Sequence, residues 1–320
     1  MDALIGAINP SGKLAETFPV SYDDCSSVSH FPGKEMTVEY REGLYIGYRY
    51  YETAQVGVAY PFGHGLSYTT FEYSDVKVEE NGVSFTVTNT GAVGGAEISQ
   101  LYVGKRGGKI FRPVKELKGF AKTYLEAGAS ATVSIAFDDK TFRYFNVNTN
   151  KWKEEGGEYQ LYIGASVADI RLEASIRRAG TTDDCPYTVS QLPSYYSGKV
   201  RNVNEAEFEA LLGREIPASG YDFYKKNRMV IHENCTVADL RYSKRWVGRL
   251  FAGVIRLAIG FLKCTGKRGK ANELIQGVLH QPVRGLAKYG KMSRRQMEAM
   301  LMMFNGHFFK GVAQFLSKSK

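Results

Sequence analysis

From Phe71 to Arg178 apolar residues recur at every second position, and turn residues interrupt the alternation at short intervals. A strand sends successive side chains to opposite faces, so this period builds sheets that are dry on one side and wetter on the other. Val83, Phe85 and Val87 alternate with Ser84, Thr86 and Thr88. Ala131, Val133, Ile135 and Phe137 repeat the pattern, as do Tyr159, Leu161 and Ile163. Ile170, Leu172, Ala174 and Ile176 alternate with Arg171, Glu173, Ser175 and Arg177, which predicts a last strand with one wet face.

About seven such runs within roughly 110 residues predict an immunoglobulin-like, more specifically fibronectin type III-like, β-sandwich. The absence of a Cys…Trp…Cys pattern argues against a true immunoglobulin domain. Gly104-Lys105-Arg106-Gly107-Gly108-Lys109 reads as a hairpin loop, because it has neither P-loop spacing nor a following helix. Ahead of the sandwich, Met1 to about Pro61 is rich in Pro, Gly and turn signals and has only short apolar runs. Met1 to Ile8 is expected to form the last turns of a helix, Asn9-Pro10-Ser11-Gly12 a turn and Leu14 to Phe18 a short strand. Such a segment cannot close a core alone, and the expectation is that something upstream completes it.

Behind the sandwich the code changes. Up to Gly180 the net charge is −3, and from Thr181 on it is +12. Asn204 with Glu207 forms a capping-box-like start, Val203 and Phe208 are placed for a hydrophobic staple, and Gly213 stops the helix. Thr236 with Asp239 and Ser293 with Gln296 repeat the start signal before Lys244 to Lys263 and before Met297 to Phe304. The expected organisation is therefore three segments: 1–65, an irregular remnant; 66–180, the sandwich; and 181–320, a basic, mostly α-helical tail.

Three stretches in fixed order carry a family resemblance: Asn9-Pro10-Ser11-Gly12-Lys13-Leu14-Ala15-Glu16-Thr17-Phe18-Pro19, Tyr40-Arg41-Glu42-Gly43-Leu44-Tyr45-Ile46-Gly47-Tyr48-Arg49-Tyr50-Tyr51, and Tyr60-Pro61-Phe62-Gly63-His64-Gly65-Leu66-Ser67-Tyr68-Thr69-Thr70-Phe71. The chain thereby resembles the C-terminal portion of glycoside hydrolase family 3 enzymes of the β-glucosidase type. The resemblance implies that the first two stretches close an α/β sandwich domain and that the third leads into the fibronectin type III-like domain. It also implies retaining hydrolysis of terminal β-linked sugars, on a β-glucoside or related oligosaccharide. The helical tail looks like a C-terminal extension of some bacterial members.

Retaining glycosidases need two carboxylates about 5 to 5.5 Å apart. The resemblance places the nucleophilic Asp on a barrel domain and the acid/base Glu upstream of the Asn-Pro-Ser-Gly turn, so no residue here inherits either role. Asp23, Asp24, Glu39 and Glu52 lie in the right segment without a spacing that singles out a pair, and no catalytic residue is assigned. No substrate-binding residue is singled out either, and a separate catalytic domain or partner subunit is expected to supply the chemistry. Glu42 and Arg49 are expected to form a charge-assisted pair. Tyr45, Tyr48, Tyr50, Tyr51 and Tyr60 could stack on a sugar, but burial against the sandwich is the preferred reading. His64 is read as a structural histidine within its turn.

Cys25, Cys185, Cys235 and Cys264 are scattered and isolated from His30, His232, His280 and His307, so no metal site and no cofactor are expected. Asn234-Cys235-Thr236 matches a glycosylation acceptor by chance, since Met1 to Ala7 contains no signal-peptide pattern and a cytoplasmic location is expected. From Arg241 on there are 17 Lys+Arg against Glu273 and Glu298. Arg245, Arg249, Arg256 and Lys263 share one helical stripe, leaving Trp246, Leu250, Phe251, Val254, Leu257, Ile259 and Phe261 around the rest. Packing on the enzyme body or a partner is preferred over membrane-surface contact by this helix. Nucleic-acid binding is not expected, because no reading motif accompanies the charge. Met292, Met297, Met300, Met302 and Met303 read as adaptable packing residues.

Overall fold

The structure, a computed structural model, describes residues 1–31, 38–216 and 228–317. They divide into two compact units, one ending at Ile216 and the other formed by 228–317.

In the first unit the alternating runs become strands. A three-stranded antiparallel sheet has the order β3 (Phe71–Glu79), β4 (Gly82–Asn89), β7 (Ser130–Ala136). A four-stranded antiparallel sheet has the order β11 (Ile170–Arg178), β10 (Gly157–Gly164), β5 (Gly95–Gly104), β6 (Glu116–Leu125). Both contribute to one core: Val83, Phe85 and Val87 from the first, Leu101, Val103, Tyr159, Leu161 and Ile163 from the second. In β4 every second residue is buried, as the period requires, and in β11 Arg171, Glu173, Ser175 and Arg177 are exposed while their neighbours are partly covered. The loop after Gly104 joins the antiparallel neighbours β5 and β6. A short hairpin, β8 (Arg143–Asn146) with β9 (Lys151–Glu154), stands beside these sheets in the chain order.

The front of the chain has less regular structure than expected. Met1 to Ile8 forms consecutive turns, with Leu4 N–H donating to Met1 O and Ala7 N–H to Asp2 O, rather than the end of a helix. Of the predicted strand only β1 (Phe18–Pro19) forms, paired with β2 (Val58–Tyr60). Between them lies α1 (Tyr48–Ala54).

The residues after Thr181 do not behave as one tail. Those up to Ile216 belong to the first unit, where α2 (Pro193–Ser197) and α3 (Glu205–Leu212) cover a second core with Tyr45, Tyr50, Tyr51 and Phe111. Leu192, Tyr195, Val200, Val203 and Phe208 complete it. Tyr45 Oη donates to Tyr195 O, Tyr195 Oη donates to Arg41 O at 2.7 Å, and Arg41 Nη1 donates to Val203 O at 3.0 Å. Asn204 caps α3 as predicted and Gly213 ends it in the left-handed conformation. Glu207 does not close the capping box. Its carboxylate instead accepts from Ser194 N–H at 2.7 Å and Ser194 Oγ at 2.8 Å, tying α3 to α2.

The second unit is helical: α4 (Trp246–Cys264), α5 (Arg268–Leu274), α6 (Val283–Tyr289), α7 (Arg294–Phe304) and α8 (Phe308–Leu316). Its core gathers Ile231, Val237, Leu240, Ala252, Val283, Met297 and Phe304. Met292 and Met300 pack against that core. The Ser293–Gln296 capping box starts α7. The Thr236–Asp239 box starts a 3₁₀ helix, Val237–Tyr242, rather than the long helix, which begins after Ser243 with no side-chain cap. Among the described residues no helix is long and apolar enough to cross a membrane.

Candidate functional site

The first and third motif stretches meet in the first unit as a hydrogen-bonded seam. Asn9 Nδ2 donates to Gly94 O at 3.0 Å, while Asn9 Oδ1 accepts from Ser67 Oγ at 3.0 Å and Tyr68 N–H at 2.9 Å. Leu14 N–H donates to His64 O at 2.8 Å, and Gly63 N–H to Leu14 O at 2.8 Å. Gly63 is required twice over: its φ is +80°, and a Cβ there would lie 2.2 Å from Gln100 Oε1. Gln100 uses that closeness, its Nε2 donating to Gly63 O at 3.3 Å and to Ala165 O at 2.6 Å. Lys13 Nζ lies 3.4 Å from Glu97 Oε1, which also accepts from Tyr73 Oη at 2.9 Å. His64 is fixed by its backbone and its ring lies 5.5 Å from that of Tyr60. The motifs thus anchor the irregular front segment to the sandwich.

That anchored segment leaves much apolar surface uncovered. Leu4, Ile5, Val20, Tyr40, Leu44, Ile46 and Leu66 are all exposed, Leu4 at 81% and Leu66 at 75%. Exposed apolar side chains in this number are the material from which interaction surfaces are built. The tyrosine cluster does not contribute equally to it. Tyr45, Tyr50 and Tyr51 are buried, against α2, α3 and Phe111 rather than against the sandwich sheets. Tyr48 stacks on Phe62 with ring centres 4.6 Å apart and its Oη accepts from Leu117 N–H at 2.8 Å. Tyr60 stays exposed.

A cleft of about 580 Å³, sharing Leu44 with that exposed set, opens in the same unit, a size suited to a small ligand. Its walls include Leu44, Arg49, Glu116, Arg143, Phe145 and Trp152. Arg143 lies 4.4 Å over the Trp152 ring, and Phe145 meets that ring edge-on at 5.4 Å. Here the expected Glu42–Arg49 pair is replaced: Arg49 Nε sits 3.6 Å from Glu116 Oε1, and Lys118 Nζ 3.4 Å from Glu116 Oε2. Among the described residues Glu116 is the one carboxylate lining the cleft. A two-carboxylate hydrolysis has no second member there. Trp152 and Arg143 were not singled out by any motif; the available signal was a tryptophan among lysines in a short hairpin.

Other chemistry finds no constellation. Among the described residues no three His, Cys, Asp or Glu side chains come together to hold a metal, and all four cysteines are free. Cys235 is buried, which raises its thiol above the ordinary value. Burial also lowers His30, with Arg41 acting in the same direction.

Residues 97–167, from β5 to the turn after β10, match the family model of a fibronectin type III-like domain. Over 184 residues the chain is 47% identical to thermostable β-glucosidase B of Acetivibrio thermocellus, covering 55% of this chain and 24% of that protein. It is 43% identical over 192 residues to an exo-α-(1→6)-L-arabinopyranosidase of Bifidobacterium longum, covering 58% and 25%. The crystal structure of a family 3 β-glucosidase of Bifidobacterium adolescentis superposes with a TM-score of 0.54 at 40% identity, over 62% of this chain and 31% of that one. β-Glucosidase 3B of Thermotoga neapolitana, in complex with glucose, gives 0.51 at 44% identity, over 55% and 26%. The matched part of the chain is therefore similar to the C-terminal portion of glycoside hydrolase family 3 enzymes of the β-glucosidase type. The chain spans about a quarter of the length of the curated relatives it matches.

Proposed function

We propose that the chain serves as the C-terminal scaffold of a retaining β-glucosidase-type hydrolase acting on terminal β-linked sugars, and that both catalytic carboxylates lie in the part of such enzymes it does not match. The observation that carries this reading is the 47% identity over 184 residues to a β-glucosidase, alongside first and third motifs that fold here into one seam. The exposed apolar side chains of the front segment are the surface on which the catalytic portion would sit, because their burial would contribute about 25 cal/mol for each Å² removed from water. We further infer that the sandwich is of the immunoglobulin-like class, a reading supported by its three- and four-stranded antiparallel sheets. Sugar choice is assigned to the unmatched portion. Relatives named for a β-glucoside and for an α-L-arabinopyranoside share this region at similar identity, so the scaffold does not select between them.

The test is a transplant. Residues 1–216 replace the corresponding C-terminal quarter of the Acetivibrio enzyme, and hydrolysis of an aryl β-glucoside is followed. Turnover by the chimera, none by the truncated parent and none by residues 1–320 alone is the expected result. Turnover by this chain alone, or a folded chimera without activity, overturns the proposal.

A further inference from the structure

The helix α4 presents an apolar row that the second unit does not cover. At 100° per residue, Trp246, Leu250, Val254, Leu257 and Phe261 fall within an arc of about 80°. All five are exposed, Leu257 at 75% and Phe261 at 69%. Gly248, Ala252 and Ile259, on another side of the helix, are buried. Along one flank of the exposed row run Arg245, Arg249, Arg256 and Lys263, within an arc of about 40°. Just past the helix end, Lys267, Arg268 and Lys270 are exposed as well. None of Arg256, Lys263, Lys267, Arg268 or Lys270 has an ion pair with an acid among the described residues. At the other end, Gly306 lies against Arg245, where an added Cβ would meet that side chain at 2.8 Å. The exposed Phe308–Phe309 pair therefore begins close to the Trp246 end of α4.

We infer that α4 lies in the headgroup layer of an anionic lipid bilayer, its apolar row inserted and its basic flank on the lipid phosphates. The helix is about 28 Å long at 1.5 Å per residue, and two arginines within it exclude a span, so it lies along the surface. Charge decides between a bilayer and a second copy of the chain. Two copies would bring together faces flanked by Arg256 and Lys263 with no acidic counterpart, whereas an anionic surface complements every one of these residues.

Trp152 and Trp246 are the two tryptophans of the chain, so Trp152→Phe leaves Trp246 as the only indole reporter. The full chain carrying that substitution is mixed with vesicles of phosphatidylcholine alone or with phosphatidylglycerol added. Binding is read by sedimentation and by the emission maximum at low salt, about 0.02 M, and high salt, about 0.5 M. The expected result is co-sedimentation and a blue shift with the anionic vesicles at low salt, both weakened at high salt. Arg256→Gln with Lys263→Gln should weaken binding about 25-fold, roughly five-fold for each charge near the surface. Leu257→Asp with Phe261→Asp should abolish it while leaving far-ultraviolet circular dichroism unchanged. No binding to anionic vesicles at low salt, or equal binding to neutral ones, overturns the inference. A blue-shifted Trp246 in a dimer without lipid also overturns it and assigns the face to a second copy.

Discussion

The two compact units handle apolar residues in opposite ways. In the sandwich, two sheets lay their dry faces against one core, and the alternation leaves each strand with a side it can give to water. In the helical unit, α4 is apolar over most of its circumference, and among the described residues the core covers the side holding Gly248, Ala252 and Ile259, with Val247, Phe251 and Ile255 partly covered beside it. A strand in a two-layer sandwich needs one partner surface. A helix apolar nearly all round needs more than one, and the rest of its surface becomes an interface.

Each unit holds one tryptophan, Trp152 in the first and Trp246 in the second, so single-tryptophan variants follow their unfolding separately. The largest expected contrast comes from alkaline pH. Burial raises the phenols of Tyr45, Tyr73, Tyr102 and Tyr195 above their ordinary value of 10.0. The folded state holds these protons more tightly than the unfolded chain. Their contribution is therefore complete below pH 10 and is lost as pH rises toward the folded values. One pH unit above the unfolded value, the loss is roughly 1.4 kcal/mol per phenol. In the second unit Cys235 shifts in the same sense, from 9.0. Denaturant titrations at neutral pH and near pH 11 should show the first unit losing several times more stability than the second. Equal losses would break the comparison.

Removing a central core side chain comes next. Leu161 is fully buried in β10, between β5 and β11, so Leu161→Ala should cost the first unit about 3 kcal/mol and leave the second unit's midpoint in place. A coincident shift of both midpoints would show that the units unfold together. The smallest effect is at a helix start. Ser293 accepts from Gln296 N–H at 3.3 Å and caps α7, and Ser293→Ala should cost the second unit about 1 kcal/mol. Thermal melts read at Trp246 check it, and a shift at Trp152 instead would contradict the division into units.

Features with a local period or a local code were legible beforehand. The strands around Val83, Val133, Leu161 and Leu172, the cap at Asn204 and the stop at Gly213 follow from residues within a few positions of each other. The same reading failed where a local signal had two uses. The Thr236–Asp239 box starts a short 3₁₀ turn ahead of the long helix, and Glu207 leaves its own cap to hold Ser194. Of the candidate sites, the motif seam was visible as sequence, whereas the Trp152 cleft was not, because its walls come from Leu44 to Trp152 and beyond.

By itself the sequence determined the sandwich, the helical character of the end and the family to which the motifs point. These rest on period, turn chemistry and capping, each decided among near neighbours. Only the tertiary structure decided that Arg49 meets Glu116 rather than Glu42, and that Tyr45 is sealed by Tyr195, 150 residues away. It also split the supposed tail at Ile216 and left the apolar row of α4 uncovered. Such choices depend on which surfaces come together once the elements exist, and no local period records them.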